Sequence, residues 1–365
     1  MIDWLLQYLG DFPGQRLFTY VSFRALMGML TAFLIGVFWG RKLINIIFQL
    51  NFRDKTRDYG DISPKNKDGT PTMGGVIIFI SFLISVLLWG KLDNPFLKIA
   101  LFAAFWFTAL GFFDDYLKSV RGSSDAGMSR GIKLFFQALF GLILGLLILS
   151  PDSSFFPAEI MTKLYVPFIS EPVIDLKYFY YPFIILAVIG ISNSINFADG
   201  LDGLATVPVS LLALVYAVFA YILSNAIASK YLLFPHLKGA EELVIVLVAL
   251  VGALAAFLWF NTYPAEIFMG DTGSLFLGGV IATSAVLLKK EIIFLIAGGV
   301  FVIEFLSVFL QDYIGIKFLK RRILYRAPVH HTFQFLGIAE PKIVVRFWII
   351  AVMFTLISLI SIKLR

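Results

Sequence analysis

The chain has 365 residues, 59% of them hydrophobic and only 15% charged. Soluble domains run at about 45–50% apolar and about 25% charged, so the composition excludes an ordinary soluble domain and describes a polytopic membrane protein. With no cysteine, structural disulfides and thiol chemistry are also excluded.

Residues 1–20 carry Asp3, Asp11 and Arg16 as their charged groups. Without the positive start of a cleavable signal, the first span is expected to be retained. Ten segments are apolar and long enough to cross a hydrocarbon layer of about 30 Å: 20–40, 74–90, 96–113, 132–150, 179–196, 204–224, 242–260, 270–288, 292–316 and 343–362. The ninth contains Glu304 and Asp312 and is expected to bend, tilt or leave the membrane in part. No internal repeat or low-complexity linker is visible, so 1–365 reads as one all-α membrane domain, a bundle of about ten spans with a cleft on one face. The segment 151–178, with its prolines and Val173-Ile174-Asp175, is expected to form a small external hairpin.

Loop charge sets the orientation. The loop after span 1 holds Arg41, Lys42, Arg53, Lys55, Arg57, Lys65 and Lys67. The loop after span 3 holds Lys118, Arg121, Arg130 and Lys133, and the loop after span 9 holds Lys317, Lys320, Arg321, Arg322, Arg326 and Lys342. Loops of the opposite set have at most two basic residues, so the basic set is expected in the cytoplasm and both termini outside. The net charge of +6 is thus a matter of topology, with no nucleic-acid partner expected.

Five aspartates fall at span ends on this same face: Asp114 and Asp115 after span 3, Asp199 and Asp202 after span 5, and Asp271 opening span 8. Acids are costly near a bilayer, and a cluster of them at one face suits a divalent cation and a phosphorylated substrate. Asp114 and Asp115 would oppose the dipole of a helix that ends beside them. Asn193, Asn196, Asp199 and Asp202 recur every third residue and converge only if the helix stops or tightens there; the simpler reading of Asp202 is a cap for the next span. Asp271 and Ser274 could be ordinary helix caps, or a metal ligand beside N–H groups aimed at phosphate, with Asn261 leaving span 7 nearby. Thr72 precedes the Gly74-Gly75 pair, which permits close backbone approach. His330 and His331 lie in the last basic loop, where they could bind phosphate or metal or move protons. Glu304 and Arg24 read as structural or groove-lining groups inside the bundle.

The motifs TPTMGG (70–75), FFDDY (112–116), NFADGLDG (196–203), FMGDTGSL (268–275) and APVHH (327–331) together resemble the phospho-N-acetylmuramoyl-pentapeptide transferases, within the polyprenyl-phosphate N-acetylhexosamine-1-phosphate transferases. The order and spacing match along nearly the whole chain. The resemblance implies transfer of phospho-MurNAc-pentapeptide from its UDP conjugate to undecaprenyl phosphate, with Mg²⁺, giving lipid I and UMP at the cytoplasmic face of a bacterial inner membrane. It also implies a homodimer. Carried over by motif, Asp271 is the principal metal ligand with Asp114 and Asp115 beside it, and Asp114 deprotonates or positions the lipid phosphate. Asn193, Asn196, Asp199, Asp202, Asn261 and Ser274 shape the donor pocket; Lys67, Thr72, Lys118 and Lys133 surround the cleft; His330 and His331 begin the histidine motif. Three positions depart from the pattern: Thr332 replaces a third histidine, Gln334 an acid, and Thr272 a small apolar residue. A related GlcNAc-1-phosphate transferase is the alternative reading, and a cation-coupled transporter a remote one.

Overall fold

The computed structural model describes residues 15–50, 52, 69–123, 126–150 and 155–363. It is helical almost throughout. The long helices are α1 (Val21–Gln49), α2 (Gly75–Trp89), α3 (Pro95–Arg121), α4 (Arg130–Ile148), α5 (Tyr180–Ala198), α6 (Thr206–Ser224), α7 (Glu241–Asn261), α8 (Gly270–Leu287) and α9 (Gly299–Phe309). A short α10 (Val329–Phe335) and a long α11 (Glu340–Ile360) follow. Nine helical segments among the described residues are long and apolar enough to cross a membrane, and the protein is a multi-pass membrane protein.

Two spans differ from the sequence expectation. The second, α2, has 15 residues, about 22 Å at the helical rise and shorter than a usual span. The ninth is not one helix: Ile293–Ala297 gives way at Gly298 to α9, which then widens into a π-helix over Leu310–Phe318. Wide turns of this kind often mark functional sites. The expected hairpin is present, with Lys163–Leu164 paired antiparallel to Ile174–Asp175.

Helices α7 and α8 form the centre, with 83% and 89% of their most apolar windows buried, whereas α1 and α11 bury 28% each. The outer helices therefore present wide apolar faces, as lipid-facing helices must. The helix ends follow local chemistry. Pro95 sits in the first turn of α3 while Asn94 accepts from the N–H groups of Phe96 and Leu97. Gly122, at φ 66°, closes its C-terminus. Two glycines bring α2 and α3 against the start of α8: a Cβ on Gly75 would lie 2.1 Å from Gly273 N, and one on Gly111 would lie 2.1 Å from Asp271 O. Only at glycine can these backbones come so close. At the opposite end of α2 the fully buried Arg24 forms a two-point ion pair with Glu242, at 2.6 and 3.0 Å, and donates to the Trp89 carbonyl at 3.1 Å. Arg24 is thus a structural group.

Candidate active site

Asp114 and Asp115 are not at the end of α3, as the sequence suggested. The helix runs on to Arg121 because Lys118 and Arg121 occupy its last turn and Gly122 caps it, so both acids project from within it, buried. Lys118 Nζ lies 2.6 Å from Asp114 Oδ2, 3.5 Å from Asp115 Oδ1 and 3.1 Å from Asp271 Oδ2. Lys133, on the first turns of α4, lies 3.1 Å from Asp114 Oδ1 and 2.8 Å from Asp271 Oδ2. The Met128 N–H donates to Asp114 Oδ1 at 2.7 Å. Three carboxylates thus share two ammonium groups, which lowers the cost of their burial.

Asp115 caps α8 from across the bundle. The N–H of Asp271 reaches its Oδ1 at 3.1 Å; the N–H and hydroxyl of Thr272 reach its Oδ2 at 2.8 and 2.6 Å. One of the two sequence readings aimed N–H groups here at a phosphate; in the structure an internal carboxylate accepts from them, favoured by the helix dipole. Asp271 is left with its side chain toward the lysines and Asn196, whose Nδ2 donates to Oδ1 at 2.9 Å.

The polar run after α5 converges because the helix stops. Asn193 and Asn196 are on its last turns, Asp199 is its C-cap with ψ 63°, and Asp202 lies in the following turn. Asp202 does not cap α6, whose N-cap is Ala205; it accepts from the Ala265 N–H at 3.1 Å, and its own N–H donates to Glu340 at 3.0 Å. Asp199 has its carboxyl pushed up to about 8, first by burial and then by the charges of Asp271, Asp115 and Asp202.

Asn193 donates to Gln137 Oε1 at 2.7 Å. Asn261 uses both ends of its amide inside the protein, accepting from Gly203 N and donating to Ile267 O, each at 2.9 Å. It shapes the pocket by stapling two loops. Ser274 is fully buried, donates to Gly270 O and receives Asn196 Nδ2 at 2.7 Å. It stands behind Asn196, where it would shape the pocket by holding that side chain. Lys67 lies outside the described residues, as do Arg53, Lys55, Arg57 and Lys65 of the same loop.

These groups open on one cavity of about 1260 Å³. Its polar floor includes Thr72, Asp114, Asp115, Lys118, Lys133, Asn193, Asn196, Asp199, Asp202, Asn261, Asp271, His330 and His331. Its other wall is apolar, from Ile189, Phe197, Phe305, Val308, Phe309 and Tyr313, where α5 meets α9 and its wide-turn extension. The departures in the histidine loop have local roles: Gln334 Oε1 sits 2.8 Å from His331 Nδ1, and the Thr332 hydroxyl donates to Arg326 O. His236, outside this site, contacts Ser224 O. Sequence reasoning missed Gln137 and Glu340, whose roles arise only from tertiary pairing. It noticed Glu304, an acid inside an apolar span, without placing it at the site.

The fold is that of a multi-pass membrane protein with a cavity floored by acids and lysines, and the comparisons give its class, a transferase. The family model "Glycosyl transferase family 4" matches residues 97–289, and a signature of the phospho-N-acetylmuramoyl-pentapeptide-transferases matches residues 67–79. A Citrifermentans bemidjiense protein named phospho-N-acetylmuramoyl-pentapeptide-transferase is 42% identical over 356 residues, 97% of each chain. The chain therefore belongs to the phospho-N-acetylmuramoyl-pentapeptide-transferase family, and it is an enzyme of the transferase class.

Proposed function

We propose that the protein transfers phospho-MurNAc-pentapeptide from its UDP conjugate to undecaprenyl phosphate, releasing UMP and forming lipid I. The observation that carries this is the junction of an acid–lysine floor with an apolar wall in one cavity. A phosphate at the floor and a prenyl chain along Phe305, Phe309 and Tyr313 would occupy both parts at once.

The donor set fits a hard divalent cation such as Mg²⁺: Asp114, Asp115 and Asp271 each offer an oxygen, and these atoms lie within 4.8 Å of one another. When bound, the cation would supply charge neutralisation at the donor pyrophosphate and at leaving UMP. Asp271, presented by the first turn of α8 and steadied by Asn196, is its principal holder. Lys118 and Lys133 pair with Asp271 and meet the incoming phosphates. Asp114 holds or takes the proton of the acceptor phosphate at Oδ2. The freed acceptor oxygen bonds to the sugar-bearing phosphorus as the bond to UMP breaks. A route through an aspartyl-phosphate would use the same carboxylates.

Loop charge supports a cytoplasmic site, with both termini outside an inner membrane. The signature over 67–79 favours the muramyl-pentapeptide donor over a GlcNAc donor. Mixing UDP-MurNAc-pentapeptide and undecaprenyl phosphate with the purified protein is expected to release UMP. A donor panel in which UDP-GlcNAc alone reacts would overturn the substrate, and no UMP with any donor would overturn the reaction. UMP released from donor alone, with a phosphorylated enzyme trapped, would select the two-step route.

A further inference from the structure

Glu304, midway along α9, and His330, on α10, are both fully buried, with Glu304 Oε1 3.2 Å from His330 Nδ1. Among the described residues neither carboxyl oxygen and neither ring nitrogen has a hydrogen-bond partner. An unsatisfied buried carboxyl is costly, so this acid is a poor choice for packing alone. The backbone there is already fixed: Ser307 Oγ donates to Glu304 O at 2.6 Å and accepts from Val329 N at 3.0 Å, which ties the start of α10 to the same turn of α9. The opposite edge of the imidazole meets the loop after α5. A Cβ on Gly200 would lie 2.3 Å from His330 Nε2, so the ring packs close against the backbone between Asp199 and Asp202. His330, His331, Asp199 and Asp202 all border the cavity.

We propose that Glu304 is the positioning residue for His330: its carboxyl holds the proton on Nδ1 and turns Nε2 toward the nucleotide-sugar donor. A buried carboxyl behind a histidine commonly fixes the tautomer and orientation of the ring. Glu304 does not touch substrate; it acts through the ring. The proposal rests on the donor reading above for its substrate, though not for the state of the imidazole.

The chain has three histidines, so ¹⁵N spectra of histidine-labelled protein can be assigned with the variant His330→Gln. In the unmodified protein His330 is expected to be protonated at Nδ1. Glu304→Gln, whose amide oxygen can still accept, is expected to keep that signature and a donor KM within about threefold. Glu304→Leu is expected to lose it and raise the donor KM about tenfold, one hydrogen bond's worth, with acceptor KM unchanged. A purely structural role would instead lower the thermal midpoint and the active fraction in both variants and leave donor KM unmoved. That outcome would overturn the proposal. If Glu304→Leu does not accumulate, an unmodified protein whose His330 lacks the Nδ1 proton overturns it equally. Failure of the donor reading would appear separately, as no turnover of UDP-MurNAc-pentapeptide beside an intact Nδ1 signature.

Discussion

Thr272 donates twice to a single oxygen of Asp115, from its N–H at 2.8 Å and from its hydroxyl at 2.6 Å. With the Asp271 N–H on the other oxygen, this carboxylate carries the start of α8 and so aims Asp271. The hydroxyl is one of three donors, and a hydrogen bond to a charged group is worth about 1.5–3 kcal/mol. Thr272→Ala keeps both backbone donors. It is expected to lower the thermal midpoint by a few degrees and turnover by less than tenfold. Asp115→Asn turns an NH₂ group toward an N–H, so it is expected to lose more than a hundredfold. Parallel melting curves and initial rates check both; a milder effect of Asp115→Asn than of Thr272→Ala would contradict the capping role.

Asp271 should behave differently from Asp115. Asp271→Asn preserves the Asn196 contact and the shape of the turn while removing the charge shared by Lys118 and Lys133. Folding is expected to survive, and divalent-cation-dependent turnover to fall by at least about a thousandfold, the scale for losing a central electrostatic group. The check is UMP release across a magnesium titration, with and without a chelator. Near-normal rates would sink the ligand assignment.

Asp199 gives a pH prediction whose sign can be worked out. Its folded carboxyl is raised to about 8 by burial and neighbouring acids, above the ordinary carboxylate range. Between these limits the folded state keeps a proton that the unfolded chain has lost. Its contribution is therefore least unfavourable at acid pH and worsens as pH rises toward about 8, where the folded group also ionises. Asp199→Asn is expected to flatten that part of the stability–pH curve. Thermal midpoints of both proteins from pH 5 to about 9 test it; parallel curves would remove Asp199 as the cause.

Most of the spans were legible because hydropathy is a local property. The every-third-residue run from Asn193 was legible as a helix that must stop, and it does stop, at Ala198. The continuation of α3 to Arg121 was overlooked although its signals are local, basic residues in the last turn and a glycine at the cap; the meeting of Lys118 with Asp271 was not legible at all. Nor was the capping of α8, where a carboxylate from α3 takes the place that a local side chain would normally fill. The partner of Ser274, Asn196 from α5, was not legible for the same reason. Patterns report which residues are polar; the neighbour that satisfies each is set by tertiary packing.

The Arg24–Glu242 pair offers a stability test separable from catalysis. It lies at the Trp89 end of α2, about 20 Å by helical rise from Gly75 and the α8 start. Both side chains are buried, and Glu242 also accepts from the Lys91 N–H at 2.9 Å. Removing one partner of a buried pair typically costs about 3–5 kcal/mol, because the other charge is stranded, whereas replacing both with apolar groups can be nearly neutral. Glu242→Leu is therefore expected to lower the thermal midpoint sharply. Adding Arg24→Leu should recover most of the loss, although Trp89 O and Lys91 N forfeit their partners. Turnover per folded molecule should stay within about twofold in both variants, since additivity holds for well-separated sites. A double variant no more stable than Glu242→Leu alone would show that the guanidinium contributes through Trp89 rather than through the pair.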